Sequence, residues 1–526
     1  MAGIPLDGAA SPTHDHGDLE SLGYTQELRR GLGPFASFAS GFSFVSILTT
    51  VFELFAFGFG FGGPAYFWTW PLVFAIQFCV ALTFAELSAI YPISGAVYQW
   101  TRRISSELLG WMAGWLMLVG YTISVAALAI ALQLVLPGVW SGFQLVGGSS
   151  APTSHSGALN AIVLGTICIL ICMTISSFGV TRMAYFNRIG VSIEIFGVCT
   201  LIVLLLVHAV RGPGVVLHTT GVQGHGSYVG PFLASMLMAA YVMYGFDSAA
   251  ELSEETTEPR RTAPLAIRRC MLVSAIGGGL LILATLMAAP SLTSGTLASD
   301  GIAYVIKAQL GDVLGRILLA TVAVSIFSAT LAISASGARV MFSMARDGRL
   351  PFARQLAIVS ARHATPLVPG ILVSVLSIGV LLINLGNTQI FAAISSVAVV
   401  IVYLAYLLVT IPLFVRRVRG RWDAPDRTDT WSLGRWGVPV NLVAIVGGTF
   451  LVIDVGWPRM AVYNPPPGHP HWYLHYLSLL FLGLVVVVGA FAYPLMRHQQ
   501  GSATGIAPAH RPRAAATGEP AGQLSV

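Results

Sequence analysis

Charge is what this sequence has least of. Of its 526 residues only 10% are Asp, Glu, Lys or Arg, against about 25% in an average soluble protein, too little polar surface to coat a globule in water. Cysteine is nearly as scarce. Cys79, Cys168, Cys172 and Cys199 lie inside apolar runs and Cys270 at the edge of one, so none is placed to staple an exposed domain, and they read as small packing residues. The histidines are too scattered to form the cluster an integral-membrane enzyme needs. His469, His471 and His475 lack metal-ligand spacing, and no metal, cofactor or enzymatic activity is expected. The formal charge is +6, yet no basic stripe interleaves with aromatics, which argues against nucleic acid as a partner. No cleavable leader is expected, because Met1 to Gln26 is polar and holds Asp7, Asp15, Asp18 and Glu20.

What is present is apolar: 55% of residues are hydrophobic and the mean hydropathy is +0.77. The few charges separate runs of about 20 residues, the length that crosses a bilayer core. These runs are continuous in Leu, Val, Ile and Ala, unlike the short alternating strands of a barrel, and helices then satisfy the buried backbone. The chain reads as an all-α integral membrane protein of twelve transmembrane helices, near 36–60, 69–90, 105–136, 158–179, 188–210, 230–256, 268–289, 313–345, 367–385, 389–414, 437–456 and 472–495. With both termini cytoplasmic, only Arg211, Lys307, Arg316 and Arg459 of the 28 basic residues fall outside, as the orientation rule requires in a cell (inner) membrane.

Two spans carry interruptions that membrane burial does not require. In the first, Ser40 to Thr50 sets Ser43, Ser46, Thr49 and Thr50 around the helix with Leu48 among them, then Glu53 and the run Gly58, Gly60, Gly62, Gly63 and Pro64. Hydroxyls re-satisfy backbone groups freed by an unwound turn. In the sixth, Tyr241, Tyr244, Gly245, Phe246 and Asp247 follow an apolar half-helix, and Gly245 tolerates non-helical dihedrals best. Interruptions five helices apart point to an inverted repeat: helices 1–5 (36–210) mirrored by helices 6–10 (230–414), two additional C-terminal helices (437–495), and cytoplasmic tails at 1–35 and 496–526. Half-helix amino ends offer N–H groups to a carboxylate and carboxy ends offer carbonyls to an ammonium. An amine or amino acid is the small-molecule partner such a site suits.

Further motifs follow: Gly62-Gly63-Pro64-Ala65; Phe84 to Trp100, reading FAELSAIYPISGAVYQW; Gly245 to Thr256, GFDSAAELSEET, continuing through Glu258-Pro259-Arg260-Arg261; and Ser336-Gly337-Ala338-Arg339 with Ala345 to Pro351. With these the sequence resembles, over most of its length, the amino-acid/polyamine/organocation superfamily of permeases, in particular the amino acid/choline transporter branch that includes γ-aminobutyrate and choline permeases. The resemblance implies a LeuT-type 5+5 inverted-repeat fold and proton-linked uptake, or exchange, of small nitrogenous solutes. Two departures stand out: Leu48-Thr49-Thr50 replaces a frequent Gly-x-Gly break, and Ala96 stands where a second Gly is usual.

Ionisable groups at bilayer depth are costly and therefore functional candidates. Glu53, Glu194 and Asp247 are the proton-coupling candidates. Glu53 faces an ammonium or takes a proton, Glu194 falls near where some superfamily members place a sodium-replacing Lys, and Asp247 either faces the site or caps the next half-helix. Glu251, Glu254 and Glu255 approach Arg260 and Arg261, and Glu86 approaches Arg102 and Arg103, as an inner gate of ion pairs. Tyr241, Tyr244 and Phe246 are placed to cover a substrate, with a cation–π contribution to an ammonium.

Overall fold

The computed structural model of the chain describes residues 19–152, 154–220, 227–385, 391–422, 430–459, 462 and 472–500. Within these the protein is helical, the one β-bridge joining Leu32 to Thr256. The principal helices are α1 (Pro34–Val45), α2 (Ile47–Gly62), α3 (Thr69–Ile90), α4 (Ala96–Ile104), α5 (Glu107–Val139), α6 (His155–Ser177), α7 (Val180–Val207), α8 (Val229–Val242), α9 (Ser248–Glu251), α10 (Pro259–Ala288), α11 (Ile302–Arg346), α12 (Leu367–Leu381), α13 (Phe391–Val418), α14 (Gly437–Gly456) and α15 (Leu477–Gln500). Among the described residues ten helices, α1 and α2 taken together, are long and apolar enough to cross a membrane. Two more, α8 and α12, are apolar but shorter.

The helix starts follow local chemistry. Pro34 and Pro259 open α1 and α10, where a missing N–H is harmless. The hydroxyls of Ser106 and Ser154 accept from Leu109 N–H at 3.3 Å and Gly157 N–H at 2.9 Å, capping α5 and α6. The sixth span, expected near 230–256 with an interruption around Gly245, is broken there: α8 stops at Val242 and a single turn, α9, resumes at Ser248. The outer loop expected over 290–312 carries helix at Gly295–Asp300 and the first turns of α11, whose non-helical Gly311 (φ 73°) separates an outer piece from the long inner one.

Helix α5 is the most enclosed long element and packs on α4, α6, α11, α12 and α13. Around this scaffold α1 leans on α7, α10 and α11, while α2 leans on α8 and α11, which puts both interruptions in the interior. Large apolar side chains such as Phe196, Val207, Val446, Leu484 and Phe491 stay exposed on the outer faces of α7, α14 and α15. A lipid-facing perimeter accounts for so much exposed apolar surface.

Candidate functional site

The first interruption is a single residue. Ser46 takes the left-handed conformation (φ 36°, ψ 76°) between α1 and α2, rare for a residue with a side chain. Side chains hold it there. Thr50 Oγ1 donates to Ser46 O at 2.8 Å, occupying a carbonyl at the break. Ser46 Oγ lies 2.7 Å from Thr49 Oγ1 and donates to Glu194 Oε1 at 3.0 Å. The same carboxylate oxygen accepts the Leu48 N–H at 3.2 Å, an orphan donor of the α2 amino end. Glu194, on α7, is fully buried, and its Oε2 has no protein partner. One turn before the break Ser43 donates to Asn187 Oδ1, also on α7, at 2.7 Å.

The second interruption spans Met243 to Asp247 and turns on Gly245 at φ 86°. A Cβ there would sit 1.8 Å from Phe44 Cδ1, so glycine is required both by conformation and by the close approach of α1. The Gly245 N–H donates to the Tyr406 hydroxyl at 3.0 Å, and Tyr403 Oη donates to Ala240 O at 2.8 Å. Asp247 accepts from two phenols, Tyr406 at Oδ1 and Tyr121 at Oδ2, the latter at 2.8 Å. Its side chain makes no cap to α9, so the capping role entertained for it is set aside.

The two interruptions touch. Phe44 packs edge-on to Tyr121 and Tyr244, ring centroids 5.4 and 5.8 Å apart, and Ser248 Oγ donates to Ser40 O at 3.3 Å. Tyr244 reaches Ser124 Oγ at 3.0 Å and lies 5.9 Å from the Tyr241 ring. Phe246 is fully buried against Phe84 and Tyr406. Glu53, seven residues beyond Ser46 on α2, is 8% exposed, and neither of its oxygens has a hydrogen-bond partner.

The structure therefore draws Ser43, Ser46, Leu48, Thr49, Thr50, Tyr241, Tyr244, Gly245, Phe246, Glu194 and Asp247 around the paired breaks, with Glu53 two turns along. Sequence reasoning missed Tyr121, Tyr403, Tyr406 and Asn187. A buried phenol in an apolar run must find a partner for its hydroxyl, and Tyr403 and Tyr406, three apart on α13, carried that signal.

The acidic residues toward the opposite end do not pair as the sequence suggested. Glu255 forms a two-pronged pair with Arg339, both contacts 2.9 Å, and Glu254 a second with Arg346 at 2.8 and 2.9 Å. Arg260 donates instead to the Ala89 and Ile90 carbonyls at 3.0 and 3.1 Å, and exposed Arg261 reaches only Glu258 at 4.0 Å. Glu86 pairs with Arg417 and accepts from Ser432 at 3.1 Å, rather than meeting Arg102 and Arg103. Glu251 is fully buried facing the amino end of α4, toward the N–H groups of Gly95, Ala96 and Val97, without a hydrogen bond of normal geometry. The reason is directional: Pro259 starts a new helix that carries Arg260 and Arg261 away from Glu254 and Glu255. His469 and His471 lie outside the described residues.

The family model described as amino acid permease matches residues 32–489. The chain belongs to the amino acid permease family, within the amino-acid/polyamine/organocation superfamily. The permease is 28% identical to the amino-acid permease BAT1 of Arabidopsis thaliana over 94% of its own length and 98% of that protein. It is 26% identical to amino-acid permease 2 of Neurospora crassa over 94% and 92% of the two chains. A third relative, the branched-chain amino acid permease BcaP of Lactococcus lactis, is 26% identical over 70% of the permease and 78% of its own chain.

Proposed function

We propose that the permease is a secondary active, proton-coupled importer of amino acids or related amines, holding its substrate where the two broken helices meet. On this reading α8 with α9, and α12, also cross the membrane, making twelve crossings in a LeuT-type arrangement. Residues 36–210 and 230–414 are the inverted repeats, 437–495 adds two helices, and both termini are cytoplasmic in the cell membrane. The glutamates paired with Arg339, Arg346 and Arg417 then form the inner gate.

The observation that carries the proposal is the bond between Glu194 and the first break. One carboxylate oxygen is anchored by Ser46 and the Leu48 N–H while the other has no protein partner. A proton arriving at Oε2 weakens Oε1 as an acceptor, because a charged acceptor holds its donors roughly twice as strongly as a neutral one. Protonation thereby loosens the α1–α2 junction from α7, which links proton binding to movement of the broken helix. Asp247 is less suited to the task, since both its oxygens already accept phenol protons. An exchanger shares the same site but needs no proton.

Counterflow and net uptake in proteoliposomes, with and without an inward pH gradient, separate the two. We expect wild-type protein to accumulate substrate uphill only with the gradient, and Glu194→Gln to keep counterflow while losing accumulation. Full accumulation by Glu194→Gln, in protein that still elutes as a single species, would reject this coupling mechanism.

A further inference from the structure

Glu53, on the α2 side of the breaks, is a buried acid that no hydrogen-bond donor answers among the described residues. It is 8% exposed with both oxygens unpartnered, and no Arg, Lys or His among the described residues acts on it. Spacing sets Ser46, Thr49 and Glu53 on one face of α2, and seven residues place Glu53 roughly 10 Å from the break along the helix axis. Helix α2 packs on α8, and Tyr241 and Tyr244 from that side lie close enough to interact electrostatically with Glu53.

A buried carboxylate without donors is unfavourable by several kcal/mol unless something answers it. Protonation alone is a poor answer: it removes the charge but leaves a new O–H with no protein acceptor and a carbonyl oxygen with no donor. An ammonium carries three N–H donors and a positive charge, enough for both oxygens. The wider charge balance agrees. Glu53, Glu194 and Asp247 surround the breaks, while the buried Arg339 is committed to Glu255. A zwitterion brings no net charge to this acidic region, whereas a second ammonium does.

We propose that Glu53 anchors a second, distal ammonium, and that the preferred substrates are dibasic: amino acids with a cationic side chain, or α,ω-diamines whose nitrogens stand several methylenes apart. This rests on the reading that substrate binds at the paired breaks.

Matched competitors test it on the full-length protein in proteoliposomes. 1,5-Diaminopentane and hexylamine differ by the distal ammonium against a terminal methyl, and norleucine is lysine with its distal ammonium replaced by hydrogen. For wild-type protein we expect lysine and the diamine to inhibit radiolabelled lysine uptake about 10-fold or more better than their partners. Glu53→Gln should erase that advantage, weakening lysine and the diamine about 10-fold more than norleucine and hexylamine. Norleucine matching lysine in the wild type, a comparison that needs no variant, overturns the distal subsite while leaving the site at the breaks intact. So does a Glu53→Gln protein that weakens both members of a pair equally. Failure of all four compounds to be transported or to compete overturns the underlying site as well.

Discussion

At single residues the breaks are sustained by conformations that few side chains tolerate. Gly245 holds φ 86° with the Phe44 ring against its Cα, so Gly245→Ala adds left-handed strain and a clash together. We expect a loss of about 1–3 kcal/mol, read as a lower melting temperature in detergent, along with loss of uptake. Adding Phe44→Leu should return only part of the lost stability, since the strain remains. An alanine variant that melts and transports like its parent would show that the turn is not constrained as described. Gly245 and the hydroxyls of Ser46 and Thr50 were legible in the sequence, because glycine and clustered hydroxyls mark backbone that leaves the helical ladder. Tyr121 and Tyr406 were not. They meet Asp247 from 126 and 159 residues away, and no local periodicity specifies which phenol faces which carboxylate.

At the scale of elements the inner ion pairs depend on helix phase. Arg339 and Arg346 stand seven residues apart on one face of α11 and receive the consecutive Glu255 and Glu254. Arg339 is 2% exposed and Glu255 fully buried, so Glu255→Gln strands a buried guanidinium. That should lower stability by about 3–5 kcal/mol, whereas Glu255→Leu with Arg339→Met restores well-packed apolar surface and most of the loss. Denaturation midpoints of the two single variants and the double variant check this: simple additivity would mean that the two side chains do not act as a pair. Hydrophobic run length located the long helices, but it placed the starts of α7, α10 and α11 eight to eleven residues late, because their first turns carry charged or polar residues. Run length alone does not end α8 at Val242; Gly245 and Asp247 mark that interruption. The partners of Glu254 and Glu255 were hidden, since nearness in sequence favoured Arg260 and Arg261 while Pro259 redirects the chain.

Across the whole molecule the charged end is sealed by the segment preceding α1. Leu19, Leu28 and Leu32 are buried there; the Gly31 and Leu32 N–H groups bond Glu255 O at 2.9 Å, and Leu32 O accepts from Thr257 N–H at 2.9 Å. Tyr24 ties this segment to several helices: its hydroxyl donates to Asp347 at 2.9 Å, and Arg346 lies 4.2 Å over its ring. Burial pushes the Tyr24 phenol above its ordinary range, so it remains a donor at neutral pH. On the proposed reading, alternating access parts α1 from its neighbours at this end, and the Tyr24 contacts oppose that movement. Tyr24→Phe keeps the ring under Arg346 but removes the donor to Asp347, and should raise the fraction of time that end spends open. Cys270 reports on it: the thiol is fully buried where α10 meets Gly41 of α1. With the other four cysteines replaced, maleimide should label Cys270 several-fold faster in Tyr24→Phe than in the parent. Equal labelling rates would mean that the segment rides with α1 instead of restraining it.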